Sequence, residues 1–135
     1  MPTDVTMDYR SLPWKYDDTI QQGQSLRFPV QLTLKGTVIA LTSVTYALTV
    51  STARGGTSVL TAAGGGAYSA TGIVETDATN GRFCIYIAGA DTGALGVGTY
   101  FLNLVLTFPS GHASFAYDVT PVLAGYLTIE DNATS

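Results

Sequence analysis

Cysteine is almost absent: Cys84 stands alone in 135 residues, which excludes an intramolecular disulfide, a thiolate zinc site and a disulfide-stapled secreted scaffold. Charge is scarce as well. Only 12% of the residues are Asp, Glu, Lys or Arg, against about 25% in an average soluble domain. Thr, Ser, Gly and Asn must therefore cover much of the surface, and part of so neutral a surface is expected to be covered by partners. The six basic residues, Arg10, Lys15, Arg27, Lys35, Arg54 and Arg82, are scattered through a chain of net charge −4. With no basic stripe to neutralise phosphates, nucleic acid and anionic membrane surfaces are disfavoured as partners. No run approaches the ~20 apolar residues that span a bilayer. Residues 1–10 hold two acids and no apolar stretch, so no signal peptide is expected and synthesis in the cytoplasm follows.

The groups that carry chemistry are equally thin. His112 is the one histidine; beside Ser110-Gly111 it reads as a turn residue, because a lone imidazole makes neither a metal site nor a triad. Most acids fall in the N-terminal stretch, in turns or near the C-terminal end, and Asp17, Asp18 and Asp77 lack EF-hand spacing. Cys84 has no base near it in sequence and reads as a small apolar residue. Gly64-Gly65-Gly66 has no Lys beside it and no helical pattern after it, which fits a mobile loop better than a phosphate cradle. Asn132-Ala133-Thr134 matches the glycosylation triplet, a chance match in a chain that is not exported. No catalytic residue, cofactor or metal ligand is expected, and the chain does not read as an enzyme.

What the sequence has in quantity is alternation. Leu26, Phe28, Val30, Leu32 and Leu34 alternate with Arg27, Pro29, Gln31 and Thr33, a period of two that sends one face to a core. Pro29, on the outward register and lacking an N–H, places this strand at a sheet edge. Val44, Tyr46, Leu48 and Val50 repeat the pattern. A weak strand around Val59-Leu60 follows, then a hairpin in which Asn80-Gly81 joins Ile73–Glu75 to Phe83, Ile85 and Ile87. Leu102, Leu104, Leu106 and Phe108 form the longest strand. Ala113, Phe115, Tyr117 and Val119 return as its partner until Pro121, and Gly125–Ile129 adds a short last strand. No segment shows a sustained, capped helical period, so strands about every 8–12 residues predict an all-β, immunoglobulin-like antiparallel sandwich of about 7–9 strands.

Residues 1–19 break the alternation and read as an extended N-terminal arm, 20–129 as the sandwich and 130–135 as a polar tail. The arm carries the only tryptophan. Tyr9, Leu12, Trp14 and Tyr16 in the arm and Gly64, Gly65 and Gly66 in the glycine loop are the expected partner-binding residues.

Residues Ile20–Leu26, the pair Leu41-Thr42 before Val44-Thr45-Tyr46, then Gly81-Arg82-Phe83 and Leu95-Gly96-Val97-Gly98-Thr99-Tyr100 follow one another in a characteristic order. This order resembles the immunoglobulin-like N-terminal domain of tailed-phage baseplate upper proteins and related small phage virion proteins. Gln24 and Lys35-Gly36-Thr37 depart from the usual pattern of a charge after the first glycine and a Gly-x-Pro turn. The resemblance implies a virion structural protein, docked in the tail, baseplate or fibre attachment, surrounded by other virion proteins and copies of itself in a symmetric homo-oligomer. The alternatives are capsid decoration on the phage head and, in another class, a carbohydrate-binding or adhesive module presenting Trp14, Tyr86 and Phe101 to sugar rings.

Overall fold

A computed structural model describes residues 5–64, 68, 70–112 and 118–131. Within them, two sheets face each other across one core. The first runs β1 (Val5–Asp8), β3 (Leu26–Leu34), β8 (Arg82–Ile87), β7 (Gly72–Asp77), with the two-residue β4 (Thr37–Val38) hairpinned onto β3. The second runs β2 (Trp14–Gln21), β10 (Val119–Glu130), β9 (Gly98–Thr107), β5 (Thr45–Ser51), β6 (Ser58–Ala63). With β1, β3, β8 and β7 taken as strands A, B, E and D, and β5, β9 and β10 as C, F and G, the strand order is that of an immunoglobulin-like sandwich extended by β6 and β2, but the sheets are mixed rather than wholly antiparallel as expected, because β1 and β2 run parallel to their neighbours. The all-β sandwich expected from the alternation is therefore what the chain forms.

The alternating positions explain the core. Val30, Leu32, Leu48, Val50, Phe83, Ile85, Ile87, Leu102, Leu104 and Leu106 are all at most 1% exposed. Full burial of each such side chain contributes about 1.5–3 kcal/mol. Strand β8 is buried on both faces, Cys84 and Tyr86 included, because it lies between β3 and β7 and is covered on its outer side too. Turn chemistry holds the register. Lys35 and Gly36 both take positive φ, 51° and 82°, as a two-residue hairpin turn that follows strand twist requires. Gly81 sits at φ 74° with the carbonyls of Leu32 and Ile39 each 2.7 Å from where a Cβ would stand, so no other residue fits that corner.

Four expectations need correction. The N-terminal segment is no arm in its described part: β1 pairs in parallel with β3 (Val5↔Val30 to Asp8↔Thr33), and β2 pairs in parallel with β10 (Trp14↔Leu123 to Glu130↔Gln21). Alternation is weak there because β2 has only one neighbour, leaving Asp18 exposed on the inward register between buried Tyr16 and Ile20. Strand β3 is interior rather than an edge, although the described pairing with β1 begins only at Val30, so Pro29 itself has no described neighbour on that side. Pro121 does not end a strand; β10 continues through it by a register shift between Pro121 and Leu123. Finally, Gly89–Leu95 forms a short α-helix, α1. The residues Ala113, Phe115 and Tyr117 of the expected return strand, and Asn132 to Thr134, lie outside the described residues.

Candidate functional site

The broadest feature of the surface is a sheet face without charge. Strands β5, β6 and β9 contain no Asp, Glu, Lys or Arg, and β10 has only Glu130, its last residue. Because Leu102, Leu104 and Leu106 point into the core, register puts Phe101, Asn103, Val105 and Thr107 on the outer side of β9. Beside them stand Tyr126, Ala124, Pro121 and Val119 of β10 and Ser51, Thr49, Ala47 and Thr45 of β5. Tyr126 is 44% and Val119 64% exposed. Depletion of charge over a contiguous outer face, with an exposed aromatic residue toward one end, is the composition of a protein interface core rather than of a solvated sheet.

Charge enters only at the rim. Arg54, in the β5–β6 turn, lays its guanidinium 4.9 Å from the Phe101 ring centroid. Phe101 meets Tyr126 edge to face at 5.5 Å, and Tyr126 is paired in register with Asp17 of β2. One cross-strand row thus reads cation, two aromatic rings, anion.

A second feature lies on the outside of the first sheet. The loop after β6 carries Tyr68 across to Arg27 of β3, whose guanidinium carbon is 4.0 Å from the Tyr68 centroid and 5.3 Å from that of Tyr86. Pro29, Thr76, Asp77, Arg82 and Cys84 complete a recess of about 400 Å³. Cys84 is outward in register yet 2% exposed at its floor. A third, larger cleft of about 740 Å³ lies at the end of the sandwich among Leu34, Val38, Ile39, Pro109 and His112. His112 Nε2 is 2.9 Å from the Ala40 carbonyl and its ring meets Phe108 at 4.8 Å, the setting of a loop-pinning residue. Asp77 and His112 line separate hollows, and Asp17 and Asp18 lie on the other sheet from Asp77. Among the described residues no three His, Cys, Asp or Glu come together as a metal site would need. No helix among them is long and apolar enough to cross a membrane.

The expected partner-binding residues are dispersed. Tyr9 is half-buried; its hydroxyl lies 2.8 Å from Thr120 Oγ1 and donates to Asp118 Oδ2 at 3.1 Å, and burial pushes its acidity down, raising its pKa. Leu12 packs on the core. Tyr16 is 5% exposed, edge to face with Phe28 at 5.3 Å, and burial, then the Asp18 carboxylate, raise its pKa. Trp14 alone among these four presents a large surface, 38% exposed at the β2 edge. Gly64 is described and abuts the Tyr46 ring; Gly65 and Gly66 lie outside the described residues. Of the candidate sugar platforms, Tyr86 and Phe101 are 8% and 7% exposed, leaving no open ring face to stack on. Sequence reasoning missed Arg54 and Tyr126 as members of a site. Their signal was the absence of charge through four strands, visible only once register shows which residues share a face.

The Leu95–Tyr100 motif has a physical role. The Tyr100 hydroxyl donates to the Leu95 carbonyl at 2.5 Å and the Gly96 carbonyl at 3.1 Å, closing the end of α1 onto the start of β9 as a tyrosine corner. Thr92 of α1, fully buried, donates to the Gln24 carbonyl at 2.8 Å, and Thr71 Oγ1 bonds both Asp91 Oδ2 and the Ala88 N–H. The helix is thereby fastened to the β2–β3 turn and to the lead into β7.

Fold and surface together define a β-sandwich with an uncharged sheet face and a tyrosine corner. No family model matches the chain, and no curated protein matches it. Among solved structures it is similar to the N-terminal domain of phage TP901-1 ORF48, with a TM-score of 0.45 and 12% identity over 95% of this chain and 85% of that one.

Proposed function

We propose that the chain is a non-enzymatic structural protein of a bacteriophage virion, a docking module of the tail, baseplate or fibre attachment. The observation that carries this reading is the uncharged outer face of β10, β9, β5 and β6. A sheet face of this size would normally be studded with Lys and Glu for solubility; one left neutral, with Val119 and Tyr126 exposed, is suited to lie against another protein. The sequence motifs that resemble baseplate upper proteins supply the particle. The Leu95–Tyr100 motif, which in the fold forms the corner described above, is part of that resemblance. Mass spectrometry of particles banded on a density gradient, from the host that carries the gene, tests the reading. The chain is expected at constant stoichiometry with the tail proteins, and Asn103→Arg, which puts a charge at the centre of the face, is expected to remove it from the particles. A chain found only in the soluble lysate would reject the reading.

A further inference from the structure

We infer that the uncharged face is an isologous interface between two copies of this chain, related by a twofold axis lying in the interface and running along β9 and β10. The inference rests on the reading of that face as an interface and names its occupant. Charge decides among occupants. The row at one end of the face has Arg54 over Phe101 on one side, Tyr126 next to it, and Asp17 at the far edge on β2. A twofold rotation about an axis between β9 and β10 exchanges the two ends of this row. Arg54 of one copy then faces Asp17 of the other, twice, while the exposed Tyr126 rings of the two copies stand on either side of the axis. Facing sheets stack ~10 Å apart, a gap that an arginine side chain spans. A partner of other chemistry would need to supply its own acid and base at this spacing; a second copy has them already. Of the acids, Asp17 and, at the last position of β10, Glu130 stand on the face; the pairing takes up the first of them.

Four strands ~4.8 Å apart and about eight residues long at ~3.4 Å each present ~500 Å². That is short of the ~800 Å² per partner of a standard interface, so the dimer is weak alone and reinforced where copies are held together.

Sedimentation equilibrium of the full chain from ~5 to ~500 μM tests this. The weight-average mass is expected to rise toward that of a dimer. Asp17→Arg and Arg54→Asp are each expected to weaken association about tenfold, and the double variant to restore it, since the reversed pair is again complementary. Asn103→Arg is expected to be monomeric; Thr49→Arg, on the neighbouring strand of the same face, serves if that variant fails to give the wild-type near-ultraviolet dichroism. A wild-type chain that stays monomeric throughout, association untouched by both central charges, or single swaps that the double variant does not rescue would each overturn the twofold dimer. Particle incorporation of the monomeric variant is scored separately, so a failed dimer and a failed virion role give different results.

Discussion

Replacing Tyr100 with Phe keeps the ring and removes only the hydroxyl that holds the corner. Two acceptors lose their donor, the Leu95 carbonyl at 2.5 Å and the Gly96 carbonyl at 3.1 Å. Each net hydrogen bond contributes about 0.5–1.5 kcal/mol. The site is half-buried, so water will satisfy part of what is lost, and the total expected is about 1–2 kcal/mol. For a domain of this length, about 3–4 °C of melting temperature accompanies each kcal/mol, which puts the expected drop at roughly 3–8 °C. The loss should be local in its first consequence. Helix α1 has no side-chain cap at Ala88, and its C-terminal bond, from the Gly96 N–H to the Thr92 carbonyl, is long at 3.4 Å, so the amides of residues 92–96 should exchange faster while those of Leu102 and Leu104 hold. Thermal melting by circular dichroism and amide exchange by mass spectrometry read the two effects. Tyr126→Phe is the control, since the Tyr126 hydroxyl has no protein partner among the described residues and its ring is exposed. A melting temperature within about 1 °C of wild type, or equal losses at helix and core, would refute the corner as the fastening of α1.

Further outcomes follow from the packing and the buried groups. Gly125→Ala should lower the melting temperature by at least ~5 °C, because a Cβ there meets the backbone of Tyr16 across the β2–β10 pair, and backbone yields less readily than a side chain. Tyr16 and Tyr46 are buried beside Asp18 and Glu75, burial being the larger cause of their raised pKa values. The sign is that stability is intact below the ordinary tyrosine value of about 10 and declines as pH rises past it. Absorbance at 295 nm should therefore show Tyr16 and Tyr46 ionising only together with unfolding. Asp8 accepts from the Arg10 side chain and backbone and from the Lys35 N–H, and the Arg10 bonds hold its carboxyl well below the usual range. Its contribution is full above about pH 4 and is lost as pH falls toward the depressed folded value. Asp8→Asn should accordingly lose less stability than wild type between about pH 5 and pH 2, as urea melts at the two pH values would show.

The central strands were legible because both neighbours and both layers constrain them: at Leu26–Leu34, Val44–Val50 and Leu102–Phe108 every inward position is apolar and at least half-buried. The N-terminal strands were not, because an edge strand with one neighbour buries only Tyr16 and Ile20 along most of its length, a spacing of four that a strand face and a helix face allow equally. Helix α1 escaped for a related reason. Its sequence, Gly-Ala-Asp-Thr-Gly-Ala-Leu, buries one residue, Thr92, so it has no apolar stripe and is held by hydrogen bonds from elsewhere in the chain. The site followed the same division. Tyr9, Leu12 and Tyr16 looked like docking groups because they sat outside the alternation, and the two parallel pairings draw them inward. Arg54, Phe101, Tyr126 and Asp17 are distant in sequence, and only register aligns them.

The parallel pairing of β2 with β10 also sets an order of assembly. Trp14, Tyr16 and Ile20 leave the ribosome about 110 residues before Glu130, which pairs with Gln21. At ~5–20 residues per second the first of these strands waits roughly 5–20 s for its partner. Strand β9 itself ends at Thr107, so for the last ~1–5 s of that interval, while the chain from there to Glu130 is made, the edge of β9 stands open. A chaperone, or a second nascent copy offering its own β10, meets the molecule at that edge before it is closed.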